Sequence, residues 1–190
     1  MRLRLVLLTA ALVALSTGAT AQNPPRDRGH GGSPAGEAQP LRPGRPADDP
    51  VAMVPDSDRE MQAAIAEARR TLPSFWSLYE SDRQVRSSAR LKVGFPTPGD
   101  GREHMWLHDI RRADGVITGV LENIPEAPMT FRKGDTVTID AAEISDWGYE
   151  RAGRLHGNFT TRALLKYLQP ELADQLRALL SERPLEGTEI

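Results

Sequence analysis

The chain has 190 residues, with 24 Lys and Arg against 26 Asp and Glu for a formal charge of −2, and no Cys. Its length leaves room for one domain, since domains commonly hold ~100–150 residues. Without Cys there are no disulfides, thiolate metal sites, Cys nucleophiles or redox switches, and no Lys/Arg-rich block supplies the phosphate neutralisation that nucleic acids or anionic membranes require.

Residues 1–21, MRLRLVLLTAALVALSTGATA, read as a cleavable signal peptide. Arg2 and Arg4 form a positive start, Leu5 to Leu15 an apolar run, and Ala19-Thr20-Ala21 the small-x-small pattern cut after Ala21. A permanent span needs roughly 20 apolar residues, so no stable membrane insertion is expected after cleavage. No Cys follows the cut to carry a lipid. The mature protein is expected in the periplasm or secreted, with its charge moved from −2 to −4 by the loss of Arg2 and Arg4.

Residues 22–55 hold eight Pro and five Gly and almost no large apolar side chain. Such a segment buries too little surface to offset its ordering entropy, and reads as a disordered linker. The ordered domain is expected over 56–182, with a flexible tail over 183–190.

Ser57-Asp58-Arg59-Glu60 has the form of a capping box, and Met61, Ile65, Ala68 and Leu72 then recur at helical spacing. Pro73 is expected to end or kink this helix, with Phe75, Trp76, Leu78 and Tyr79 adding a turn before a polar loop. From residue 88 the period becomes two. Ala89, Leu91, Val93 and Phe95 alternate with Ser88, Arg90, Lys92 and Gly94, the pattern of a half-buried strand. Strands over about 103–111 and 116–121 follow, joined by the hairpin signal Asp114-Gly115. Lys133-Gly134-Asp135 turns into Thr136–Ile139, and a strand around 147–151 turns at Ala152-Gly153 into Leu155 and His156. Asn158 or Thr160 can cap a helix bearing Leu164, Leu165 and Leu168, and Pro170 opens a last helix with Leu172, Leu176 and Leu179. The order predicts an α+β domain: an N-terminal helix, a small curved antiparallel sheet whose short strands and tight turns could close it partly into a barrel, and two C-terminal helices.

Three groups could carry chemistry. In Glu103-His104-Met105-Trp106-Leu107-His108-Asp109, a helix would place His104 and His108 where they could share zinc. The flanking turn signals favour a strand, which sets the two His roughly 13 Å apart at ~3.3 Å per residue, too far for one metal. In Ile144-Ser145-Asp146-Trp147-Gly148-Tyr149, no G-x-S-x-G elbow presents the Ser. Ser145 and Asp146 are expected to make a side-chain-capped turn in which Asp146 accepts backbone amides, with Trp147 and Tyr149 stacking across the strand. In Gly157-Asn158-Phe159-Thr160-Thr161-Arg162, the Arg sits in a first helical turn, where the dipole favours anions. It could bind an anionic ligand group, or form a salt bridge to Asp146 or Glu150. Neither G-x-G-x-x-G nor a P-loop occurs, so no nucleotide, cofactor or metal is expected.

The segments AIAEARRTLPSFW, LKVGFPTPGDGREHMWLHDI, GVLENIP, KGDTVTI, EISDWGY and GNFTTRALL occur in order across roughly residues 60 to 168. In this ordered set, with EHMW and ISDW, the chain resembles the YegJ-like bacterial family, the domain of unknown function DUF2314. The resemblance implies one folding unit over those residues and transfers no catalytic or binding residue. The chain beyond Leu180 lies outside it.

The reading that follows is a non-catalytic exported module binding an envelope protein, peptide or small ligand, through Trp106, His108, Asp146, Trp147, Tyr149 and Arg162. A hydrolase using His104 or His108 with Asp109 or Asp146 is the alternative. An immunity or inhibitor protein facing a basic partner is a third.

Overall fold

A computed structural model of the chain describes residues 2–6, 51–55, 57–99 and 101–187. The predicted cut site after Ala21 and all of the linker except its last five residues lie outside them.

The first long element is helix α1, Arg59–Ser81. Its cap is Asp58, not Ser57: the carboxylate accepts the amide of Met61 at 2.7 Å. The helix also runs through Pro73 where a break is expected. An internal proline costs about 3 kcal/mol, but Phe75, Trp76 and Tyr79 beyond it are all buried, each gain being of the order of 1.5–3 kcal/mol. Burial of the aromatic stripe outweighs the missing hydrogen bond. Asp82 then caps a short second helix, α2, Arg83–Ser88, by accepting the amides of Gln84 and Val85. The sequence predicts only a polar loop there.

Two short strands precede these helices, β1 (Arg2–Val6) and β2 (Val51–Pro55), so the linker as read ends in a strand. After them come β3 (Arg90–Pro96), β4 (Arg102–Ala113), β5 (Val116–Leu121), β6 (Thr136–Ile139), β7 (Ile144–Arg151) and β8 (Arg154–Gly157). The main sheet has the order β6-β5-β4-β3-β7-β8, antiparallel throughout, and it stays open. No partly closed barrel forms, because β6 and β8 remain on opposite edges. β1 lies parallel to the start of β4, and β2 pairs antiparallel with β1.

Both faces of the central strands are covered. One face packs Leu91, Val93, Met105, Leu107 and Trp147 with Phe75, Trp76 and Tyr79 of α1. On the other, Trp106 and Leu155 meet Leu165, Leu179 and Leu180, which belong to the region of α3 (Phe159–Leu164) and α4 (Pro170–Leu179). Hence β3 is buried almost end to end, and Lys92 lies inside where alternation places it at the surface.

The predicted flexible tail is anchored over its first part. Leu185 packs against the main core, the amide of Gly157 donates to the Pro184 carbonyl at 2.9 Å, and the Tyr149 hydroxyl donates to the Glu186 carbonyl.

Candidate functional site

Strand register builds the polar interior. Trp106 of β4, Lys92 of β3 and Asp146 of β7 stand directly opposite one another in a row across three strands. Directly opposed residues share a face of the sheet, here the face covered by the C-terminal helices. All three are fully buried. Lys92 Nζ donates to Thr160 Oγ1 at 3.2 Å, and that hydroxyl donates to Asp146 Oδ2 at 2.6 Å. The ammonium also lies 5.2 Å from the centre of the Trp106 ring, a cation–π distance.

Asp146 is the hub. Its carboxylate accepts the amides of Trp147 at 2.8 Å, Phe159 at 3.2 Å and Thr160 at 2.8 Å. The last two are orphan amides of the α3 start, where Asn158 adopts a left-handed conformation and gives no side-chain cap. A strand carboxylate thus does the work of a helix cap from outside the helix. Burial pushes the Asp146 carboxyl above its ordinary value, opposed by the Thr160 hydroxyl and by Lys92. Burial likewise lowers Lys92 to about 7, opposed by the Asp146 charge.

A second link runs alongside. The Ser145 hydroxyl donates to the Lys92 carbonyl at 3.2 Å, so it accepts from His104 Nδ1 at 2.8 Å. Burial holds the His104 pKa near 3, with Lys92, Arg102 and Arg69 adding to the effect. The ring is therefore neutral with its proton on Nδ1, and Nε2 is a bare acceptor. Nε2 and the Trp106 Nε1–H are both buried with no hydrogen-bond partner among the described residues. The ring has room because Gly94 lies opposite: a Cβ there would come within 2.9 Å of it.

The six residues predicted to bind a ligand do not converge on one pocket. Trp106 and Asp146 belong to the sealed row. Ser145 and Asp146 form no turn but lie within β7, and Trp147 and Tyr149 stack two residues apart along that strand, their rings 6.2 Å apart and 3° from parallel, in the core. Trp147 Nε1 donates to the Ala68 carbonyl and Thr71 hydroxyl of α1. Arg162 is turned back on β8, its Nε donating to the Gly157 carbonyl at 3.1 Å. The anion at the start of α3 is the protein's own Asp146. His108 is the most open of the six, its side chain 39% exposed and Nδ1 3.1 Å from Asp109 Oδ2, and Arg162 is half-buried.

His108 stands at a break in the ladder. Between His108 and Arg111 the β4–β5 register shifts, and Asp109 takes a positive φ of 48°. A non-glycine residue in that region is strained, and such bulges re-aim side chains. Here the bulge walls a cleft of about 470 Å³, its polar lining made by Arg86, Ser87, Asp109, Arg111, Thr118 and Thr136 and its apolar lining by Ile110 and Val120. Arg86 is committed, its Nε donating to the Tyr79 carbonyl at 3.0 Å. The Arg111 guanidinium has no hydrogen-bond or ion-pair partner among the described residues. Sequence periodicity misses this cleft because its residues come from α2, β4, β5 and β6. The signal present was the irregular run His108-Asp109-Ile110-Arg111, where alternation fails.

A family model described as an uncharacterized protein conserved in bacteria (DUF2314) matches residues 58–179. The chain is 32% identical over 121 residues to the uncharacterized protein YegJ of Escherichia coli strain K12, covering 63% of this chain and 76% of that one. It is 34% identical over 124 residues to a putative ankyrin repeat protein of Neisseria meningitidis serogroup B, covering 62% of this chain and 49% of that one. The chain therefore spans about three quarters of the first relative and about half of the second. No solved structure matches.

Proposed function

The chain belongs to the DUF2314 family of bacterial proteins, and from that footing we propose that it is an exported, non-catalytic binding module. Its ligand is a small polar molecule bearing an anionic group. The observation that carries this reading is the cleft at the β4 bulge, where Arg111 has no hydrogen-bond or ion-pair partner among the described residues and lies beside the hydroxyls of Thr118 and Thr136. A cation flanked by hydroxyl groups on a rigid sheet is a suitable receptor for a carboxylate or phosphate. The leader over residues 1–21 supports export.

The hydrolase alternative draws less support. His104 is neutral and tied to Ser145 inside the domain. The His108–Asp109 pair is exposed, and no third side chain orients on it among the described residues.

The test is a titration of the leaderless chain with a panel of small phosphates and carboxylates, followed by amide chemical shifts. Saturable shifts at Asp109–Arg111, Thr118 and Thr136 that vanish in Arg111→Ala are expected. A panel that moves none of these amides would overturn the cleft as the binding site. Fractionation, with the chain found in the cytoplasm at full mass, would overturn export.

A further inference from the structure

Among the described residues β1 is the strand that the predicted leader contributes, and it is held on both sides. It pairs parallel with β4 through Leu3 with Arg102, Arg4 with Glu103 and Leu5 with His104. Its other edge pairs antiparallel with β2, from Arg2 with Pro55 to Val6 with Val51. Among the described residues β2 has no strand partner except β1.

Cleavage after Ala21 removes β1 whole, yet it leaves β2 anchored. Val54 is fully buried against Met61, Ile65, Leu164 and Leu176, and the Pro55 carbonyl accepts the amide of Asp58 where the chain enters α1. Sliding β2 across to β4 would pull Val54 out of that cluster. Neighbouring strands lie ≈ 4.7–4.9 Å apart, so removal of β1 leaves a slot about one strand wide. Each wall of the slot is a row of backbone N–H and C=O groups without partners, the feature that recruits another strand.

We propose that this slot is a strand-acceptor site, which the leader fills in the precursor and an extended segment of another polypeptide fills in the mature protein. The proposal rests on the reading of residues 1–21 as a cleaved leader. The incoming strand runs parallel to β4 and antiparallel to β2, as β1 does. Main-chain hydrogen bonds to both walls supply the affinity, as in other strand-addition interfaces. With both edges paired, proline is excluded from its interior.

The probe is a fluorescent peptide with the sequence of residues 1–7, MRLRLVL, added to the chain comprising residues 22–190. Saturable binding is expected, with slowed amide hydrogen exchange in both Arg102–His104 and Val51–Pro55. The same peptide carrying Leu3→Pro and Leu5→Pro should bind about tenfold more weakly or worse, since ladder bonds are lost. As a check in the intact chain, Leu5→Pro in the full-length protein should raise exchange at Arg102–His104. Absence of peptide binding, equal binding of the proline peptide, or slow exchange at Arg102–His104 without peptide would each overturn the slot. Concentration-dependent protection accompanied by dimer formation would overturn a foreign occupant in favour of a second copy. The mass of the exported chain separates the premise from the proposal. An exported chain retaining residues 2–6 overturns the cleaved-leader reading and the open slot together, whereas a cut chain that ignores the peptide overturns the slot alone.

Discussion

His104 and His108 lie four residues apart on β4 and end in opposite surroundings. The first half of the strand lies beside β3 and under the C-terminal helices, where Glu103 and His104 are enclosed and tied to the framework. The second half leaves that cover at the Asp109 bulge and forms the wall of an open cleft with α2, β5 and β6. The difference separates polar residues that build the domain from those free to meet a ligand. Asp146 looks functional in sequence and acts as an architectural cap. Arg111 looks like an ordinary surface residue and is the better candidate for binding.

This contrast breaks first at Asp146. Replacing it with Ala removes the acceptor for three amides and leaves Lys92 buried without its counter-charge. A loss of about 3–5 kcal/mol is expected from urea unfolding, as for breaking a buried charge pair from one side. A loss below about 1 kcal/mol would mean the network is not structural. Gly157→Ala should cost somewhat less, about 2–4 kcal/mol, from backbone strain together with overpacking. Gly157 has φ 67°, and a Cβ there would lie 2.3 Å from the Trp147 carbonyl oxygen.

The histidines sharpen the same contrast through pH. His104 has its folded pKa depressed from 6.5 to about 3 by burial, so the unfolded chain takes up the proton first. Its contribution to stability is complete above pH 6.5 and is lost as pH falls toward 3. The slope in that window should reach about 1.4 kcal/mol per pH unit. His104→Asn, which keeps a donor for Ser145, should flatten that component, whereas His108→Asn should leave it in place. The smallest effect on stability belongs to the cleft. Arg111→Ala should shift unfolding by no more than about 0.5 kcal/mol while abolishing the ligand-induced shifts.

Much of the fold was legible because it is written locally. Val116–Leu121 and Thr136–Ile139 form strands where alternation and turn residues place them. The last helix starts at Pro170 as its proline indicates. The departures arise where packing at a distance overrides local rules. Phe75, Trp76 and Tyr79 carry α1 past Pro73, and Tyr149 and Leu185 anchor the predicted tail. The fate of Lys92 was hidden because one strand's alternation does not reveal that both sheet faces are covered. Two sets of amphipathic helices flanking one small sheet were the available clue. For the site, sequence marked Asp146 as an acceptor of amides but could not say that those amides belong to α3. The cleft stayed out of view because four separate elements line it.

The most direct test is a single chemical-shift titration of the leaderless chain with the small anion that binds best. The predicted result is saturable movement of the Asp109–Arg111, Thr118 and Thr136 amides, with the Thr160 and Trp106 amides unmoved. Movement centred on Thr160 and Trp106, with the bulge amides silent, would contradict the division between a sealed polar interior and a binding cleft.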